Sequence, residues 1–238
     1  MKSGRVITIA TLLAIAASTM ATYTWAAGPA PGGVDPSNFT DPVANTYFPL
    51  ESGTALILEG SEDGEALRER VRITAEHRMI EGVSTVVVHD VIRSHGVLVE
   101  KTIDWYAADN DGNVWYFGED TATYDADGNV QSTEGTWLAG VDGAVAGIIM
   151  PANPRPTDAY RQEFYVGHAE DQGWIVQRGA KVSVPYGDLD KVVRSFEWTR
   201  LEPGVMALKF YAPGLGIVLE KDVAGGNELL SLVKVIHG

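Results

Sequence analysis

Residues 104–120 read Asp-Trp-Tyr-Ala-Ala-Asp-Asn-Asp-Gly-Asn-Val-Trp-Tyr-Phe-Gly-Glu-Asp, two aromatic runs on either side of a turn. Aromatic residues favour strands. Asp109-Asn-Asp-Gly112 supplies a type I turn with Gly112 in a left-handed bulge position, which suits the twist of a hairpin. Pairing Asp109 with Asn113 sets Ala107 against Trp115, Trp105 against Phe117, and Tyr106 beside Tyr116.

Upstream, His95-Gly96 is a two-residue loop of the primed-turn kind between runs 84–94 and 97–108. Counting outward sets Ser94 against Val97, Ile92 against Val99, Asp90 against Lys101, Val88 against Ile103 and Val86 against Trp105. One face then carries Val86, Val88, Ile92, Val99, Ile103, Trp105, Trp115 and Phe117, the predicted core ridge, with Asp90 and Lys101 as a cross-strand ion pair. The other face gathers His89, Asp104, Tyr106 and Tyr116. These four are the predicted ligand-binding residues, because phenol rings stack on a ligand while an imidazole and a carboxylate give directional hydrogen bonds. If the sheet closes, that face lines a lumen; if it stays open, the same residues suit an ordinary wet surface.

Around this hairpin the chain keeps one texture. Short β-rich runs separated by Gly, Pro, Asn and Asp recur from Tyr47 to the C-terminus, with no amphipathic helix among them. The expected fold class is all-β, an antiparallel meander forming a barrel or strongly curved sheet, in a single domain over residues 46–238. Residues 139–158, with Gly140, Gly143 and Gly147 followed by Pro151, Pro154 and Pro156, read as a long connection able to cover one end of the sheet.

Lys2 and Arg5 precede an apolar run over residues 6–18, and small residues follow at Ala21 and Ala26-Ala27. This is the pattern of a secretory signal peptide over residues 1–27, with cleavage after Ala26 or Ala27, or else after Ala21. The run is too short to cross a bilayer as a helix, and no other stretch is long and apolar enough for an integral membrane span. Residues 28–45, rich in Gly and Pro, read as a flexible leader. The expected location is therefore exported, periplasmic or extracellular.

The formal charge of −14 becomes −16 without residues 1–27, which hold two bases and no acid. So acidic a surface is expected to repel nucleic acid and anionic membrane. With no Cys, a lipid-anchored lipoprotein, a disulfide framework and a thiolate metal site are excluded.

Few motifs point to chemistry. The turns at Asp109 and Asp125 resemble the opening of a calcium loop, but position 12 is Asp120 in one and Thr136 in the other, so a weak surface calcium site is the most they suggest. The five His residues show no metal-ligand spacing, and no nucleophile elbow or phosphate loop occurs. No catalytic residue, metal ligand or cofactor is assigned. Carboxylates near the aromatic hairpin, Asp104, Glu119 and Glu134, would be the pair-forming acids of a hydrolase.

The core Asp104-Trp-Tyr-Ala107, Asp109, Gly112-Asn-Val-Trp-Tyr116, Gly118-Glu119 resembles a family of exported, largely uncharacterised bacterial β-rich proteins. The resemblance extends through Tyr47-Phe-Pro-Leu50, Gly147-Ile-Ile-Met-Pro-Ala152, Tyr160-Arg-Gln-Glu163 and Tyr211-Ala-Pro-Gly-Leu-Gly-Ile-Val218. Leu56-Ile57-Leu58 departs from it, since relatives tend to carry aromatics there. The resemblance implies export and a β-rich fold and transfers no site residue. Three function classes follow: a β-domain that binds a small or amphipathic molecule, an extracytoplasmic carboxylate-based hydrolase, and an envelope interaction protein without a pocket. The oligomeric state is not legible.

Overall fold

A computed structural model describes residues 33–238; the expected signal peptide over residues 1–27 and residues 28–32 lie outside the described part. The fold is all-β, as expected. After a 3₁₀ turn at Pro36–Phe39, five strands follow as a meander: β1 (Ala55–Glu62), β2 (Glu65–Ile80), β3 (Val83–Ser94), β4 (Val97–Ala108) and β5 (Val114–Tyr124). Short strands come next: β6 (Val130–Ser132), β7 (Trp137–Leu138), β8 (Val145–Met150), β9 (Ala159–Arg161) and β10 (Glu163–Phe164). The chain ends with β11 (Asp171–Val184), β12 (Gly187–Thr199), β13 (Met206–Ala212), β14 (Gly216–Ala224) and β15 (Leu229–Ile236).

The first three connections are primed turns, made by Asp63-Gly64, Glu81-Gly82 and His95-Gly96, each with both residues at positive φ. The turn after β4 has Gly112 at +89° and hydrogen bonds from Gly112 N–H to Asp109 O and from Asp109 N–H to Asn113 O, the bulged geometry expected from sequence. Antiparallel pairing runs in the order β10-β8-β5-β4-β3-β2-β1-β15-β14-β13-β12-β11-β9. The two ends of that order, β9 and β10, are separated in sequence only by Gln162. One bent strand therefore pairs with β11 through Ala159–Arg161 and with β8 through Glu163 and Phe164, and draws the sheet into a nearly closed barrel.

Residues 139–158 are not the irregular connection their Gly and Pro content suggests. They contain β8, which pairs with both β5 and β10 and completes the closure. Gly147 is the point of closest approach: a Cβ there would stand 2.5 Å from the Arg161 and Gln162 carbonyl oxygens. Residues 36–45, expected within a flexible leader, are docked on the hairpin that opened the reading. Phe39 packs edge-on against Trp115 and Phe117 at 6.1 and 5.6 Å, and the buried Asn45 donates to Gly112 O at 2.8 Å.

Two bulges decide which side chains face inward. Pairing starts at Ser94 with Val97, but the register shifts between Ile92 and Arg93. Asp90 therefore faces Thr102, Val88 faces Asp104 and Val87 faces Trp105. A second shift at Gly118 (φ +139°) sets Asp104 opposite Glu119 while Tyr106 stays opposite Tyr116. A one-residue slip exchanges every side chain of a strand between the two faces, so the predicted core ridge is split. Ile103, Trp105, Trp115 and Phe117 lie on the outer face together with Val87, with Phe39 of the docked N-terminal segment packed on Trp115 and Phe117, whereas Val86 and Val88 turn inward with Asp90. Asp90 and Lys101 lie on opposite faces and form no ion pair.

Adding a side chain at Gly147 should loosen the closure. Gly147→Ala is expected to cost about 1–3 kcal/mol through overpacking against backbone that cannot turn away. Urea unfolding would measure that loss, and hydrogen exchange should show the Gln162 and Tyr165 amides exchanging faster than those of β1 and β2.

Candidate functional site

The lumen of the barrel is lined by alternating residues of the strands on either side. From β2 come Glu69, Val71 and Ile73, from β3 Val88 and Asp90, and from β4 Asp104 and Tyr106. Glu197 on β12, Lys209 and Tyr211 on β13, and Ile217 and Glu220 on β14 face them. Between them is a cavity of about 160 Å³, bordered by Phe48, Pro49 and Leu50 of the N-terminal segment and by Leu215 and Gly216 of the β13–β14 turn. At about 30 Å³ per water this is room for roughly five waters.

Three of the four predicted site residues meet here. Tyr106 and Tyr116 stack with centroids 4.7 Å apart, and the Tyr116 hydroxyl donates to Asp104 Oδ1 at 2.6 Å. Phe48 closes on Tyr106 edge-on at 5.1 Å. His89 does not join them: it pairs with Arg72 and, because of the bulge at Val99 in β4, with Ile103, on the outer face.

Residues that sequence reading did not single out complete the lumen. The β13 ammonium of Lys209 lies 3.4 Å from Glu197 Oε2 and 3.1 Å from Glu220 Oε1. Glu197 Oε1 also accepts from Ser195 Oγ at 2.7 Å and from Tyr211 OH at 2.9 Å. Across the cavity, Glu69 is buried and Asp90 half-buried, and Glu69 Oε2 and Asp90 Oδ1 receive no hydrogen bond from any other residue. Glu69 was the one with a readable signal: it interrupts the inward alternation Leu67, Val71, Ile73 on β2. Lys209 gave none, because β13 buries residues of both parities.

Burial dominates the electrostatics. It pushes the Glu69 carboxyl well above its ordinary value, and the charge of neighbouring Asp90 adds to the effect, so Glu69 carries the proton that the two acids share. Burial lifts Asp104 to about 7, against the hydrogen bond from Tyr116. Glu119, directly opposite Asp104, is raised to about 9 by burial and then by the Asp104 charge. Glu163, beside the closure, reaches about 8 for the same reason, with Asp171 as its charged neighbour. Burial opposes the charge on Lys209, but Glu220 and Glu197 outweigh it and hold the ammonium charged.

Other candidates fall elsewhere. Glu134 is exposed and 3.6 Å from His168, so the structure pairs Asp104 with Glu119 and leaves Glu134 outside. The Asp109 carboxylate accepts from the Asp111 and Asn113 amides, Asn113 Nδ2 and Trp115 Nε1, all at 2.8–3.0 Å. Asp125 likewise caps its own turn. Among the described residues no three His, Asp or Glu side chains converge as a metal-ion site. A wider, open depression of about 420 Å³ lies between Arg78, Trp105, Glu119, Trp137 and Tyr165. The Arg78 guanidinium sits 4.1 Å over the Trp105 ring there.

With this geometry in hand, comparison with known proteins finds no matching family model and no matching curated protein. Two solved structures are similar. One is a candidate exported protein with a YmcC-like fold from Bacteroides fragilis, 14% identical over 81% of this chain and 100% of its own, with a TM-score of 0.47. The other is a candidate lipoprotein from Parabacteroides distasonis, 12% identical over 82% of this chain and 100% of its own, with a TM-score of 0.44.

The raised carboxyls make stability depend on pH. Between the unfolded values near 4 and the folded values of about 7 to 9, the folded state holds more protons than the unfolded chain. Their contribution is fully present below pH 4 and is lost as pH rises through 7 to 9. The urea midpoint is therefore expected to be higher at pH 5 than at pH 9, and Asp104→Asn should flatten the part of that slope between pH 5 and about 7. A midpoint that rises from pH 5 to pH 9 would contradict the assignment.

Proposed function

We propose that the protein is an exported binding protein whose barrel lumen takes a small amphipathic molecule with a hydrogen-bond-donating head, an amine or a compact polyol. The supporting observation is the imbalance within the cavity. Among its donors, Tyr116 is committed to Asp104, and Tyr211 and Lys209 to Glu197 and Glu220. Glu69 Oε2 and Asp90 Oδ1 have only the one proton the two acids share and no donor from any other residue. A buried acceptor without a donor is costly, and a ligand donor would remove that cost. The apolar wall of Leu56, Val71, Val88 and Ile217 suits a short hydrocarbon tail.

The surplus of carboxylates over the single Lys209 favours a cationic head. An amine entering between Asp90 and Asp104 would meet opposite charge in a dry setting, where such attraction is strong. The same carboxyl pairs would serve acid–base hydrolysis, but a cavity of about 160 Å³ is small for a polymer beside a catalytic water.

Native mass spectrometry of the protein purified from its own host is expected to show a retained adduct of small mass. Calorimetry with n-butylammonium and with 1,2-propanediol would then separate the amine from the polyol. The pair Glu69→Gln and Asp90→Asn should weaken amine binding at least tenfold without lowering the melting temperature, because uncharged isosteres relieve the desolvation of a buried acid pair. No adduct, and no heat with either probe, would refute the reading.

A further inference from the structure

The outer face of β15, β1, β2, β3 and β4 holds a feature the lumen does not use. Register sets Arg68 directly opposite Arg93 and Arg72 opposite His89. The row through Arg70 runs to Lys101 by way of Val91 on one side, and to Lys234 by way of Ile57 on the other. Arg68, Arg70, Arg72, Arg93, Lys101 and Lys234 are all exposed. Six of the 16 basic residues that follow the signal segment thus share one face of a strongly acidic chain.

Little within the chain offsets them. Among the described residues the only ion pair they make is that of Arg68 with Glu59. The other carboxylate in these rows, Asp120, stands at the margin opposite Ile103. Like charges set directly across a sheet destabilise it, so the arrangement is costly to the isolated protein and would be relieved by an anionic partner.

The layout selects the kind of partner. Five strands at about 4.8 Å spacing spread the cations over roughly 19 Å, wider than one extended polymer chain. Protein interfaces place exposed aromatic and aliphatic side chains at their centre. Here Ile57 is buried, Val91 and Ile103 are half-buried between the cationic side chains, and the nearest exposed large apolar residue, Ile236, lies at the edge. A plane of phosphate groups fits such a field, since the guanidinium fork takes phosphate oxygens in pairs. The net charge does not forbid this, because at physiological salt the screening length is about 8 Å and acids across the barrel are largely screened.

We infer that this face docks the protein peripherally on an anionic phospholipid surface, with headgroup phosphates meeting Arg70, Arg72, Arg93 and Lys101. The inference is independent of what the lumen binds. The test is co-sedimentation of the exported chain with vesicles of phosphatidylcholine alone and of phosphatidylcholine containing phosphatidylglycerol. At least tenfold stronger binding to the anionic vesicles is expected, falling steadily as sodium chloride is raised. Arg70→Glu with Arg93→Glu should abolish it at an unchanged melting temperature, and the milder Arg72→Gln with Lys101→Gln, which carries the test if the first pair misfolds, should weaken it severalfold. Equal binding to both vesicles, or binding indifferent to these substitutions, overturns the inference. Capture of soluble polyphosphate or polyglutamate with no vesicle binding also overturns it and assigns the face to a soluble polyanion.

Discussion

The structure depends on the closure of the sheet by one bent strand. An open sheet of this length would leave two rows of unpaired backbone groups and one wet face. Ala159–Arg161 and Glu163–Phe164 pair with its two ends instead, pivoting at Gln162, and Gly147 allows the backbones to come together. Closure turns one face of every strand into an interior. The interior then imposes its own chemistry on whatever side chains the register delivers to it.

What the register delivers is unusual for a barrel interior. Glu69, Asp90, Asp104, Glu197 and Glu220 share a confined space with one ammonium, that of Lys209. Burial alone would neutralise such a group of acids, and the raised values of Glu69 and Asp104 show that tendency. Lys209 keeps its charge because two carboxylates lie within 3.4 Å. The lumen is thus held between two arrangements, a fully bonded one around Lys209 and an under-bonded one at Glu69 and Asp90. The asymmetry is in hydrogen bonding, with the under-bonded acids Glu69 and Asp90 set among the apolar side chains Val71, Ile73 and Val88 of the same two strands.

Some of this was legible in the residues. The hairpin of β4 and β5 is set by the chemistry of its own turn, so the joint face of Asp104, Tyr106 and Tyr116 could be counted correctly from Gly112 outward. The count failed between β3 and β4, where Val99 of β4 is an extra residue in the pairing, with no Gly or Pro to mark it. That single insertion moved His89 out, moved Asp90 and Val88 in, and separated Asp90 from Lys101. The same alternation that hid the lumen acids also hid the basic face. Arg68, Glu69, Arg70, Val71 and Arg72 look like an evenly mixed strand until closure places the odd-numbered ones inside and the even-numbered ones outside.

The sequence by itself determined the strands, the turns between them and the aromatic hairpin, because these rest on local backbone preferences and on contacts between neighbours in the chain. Its net charge, however, described no surface of the molecule. Only the tertiary structure decided which acids are buried, which bases form a common face, and that the Gly- and Pro-rich stretch around Gly147 is part of the barrel wall. The physical reason is that facing direction is a property of register and closure, which bulges and one bent strand control, and neither the bulge at Val99 nor the pivot at Gln162 leaves a mark in composition or periodicity.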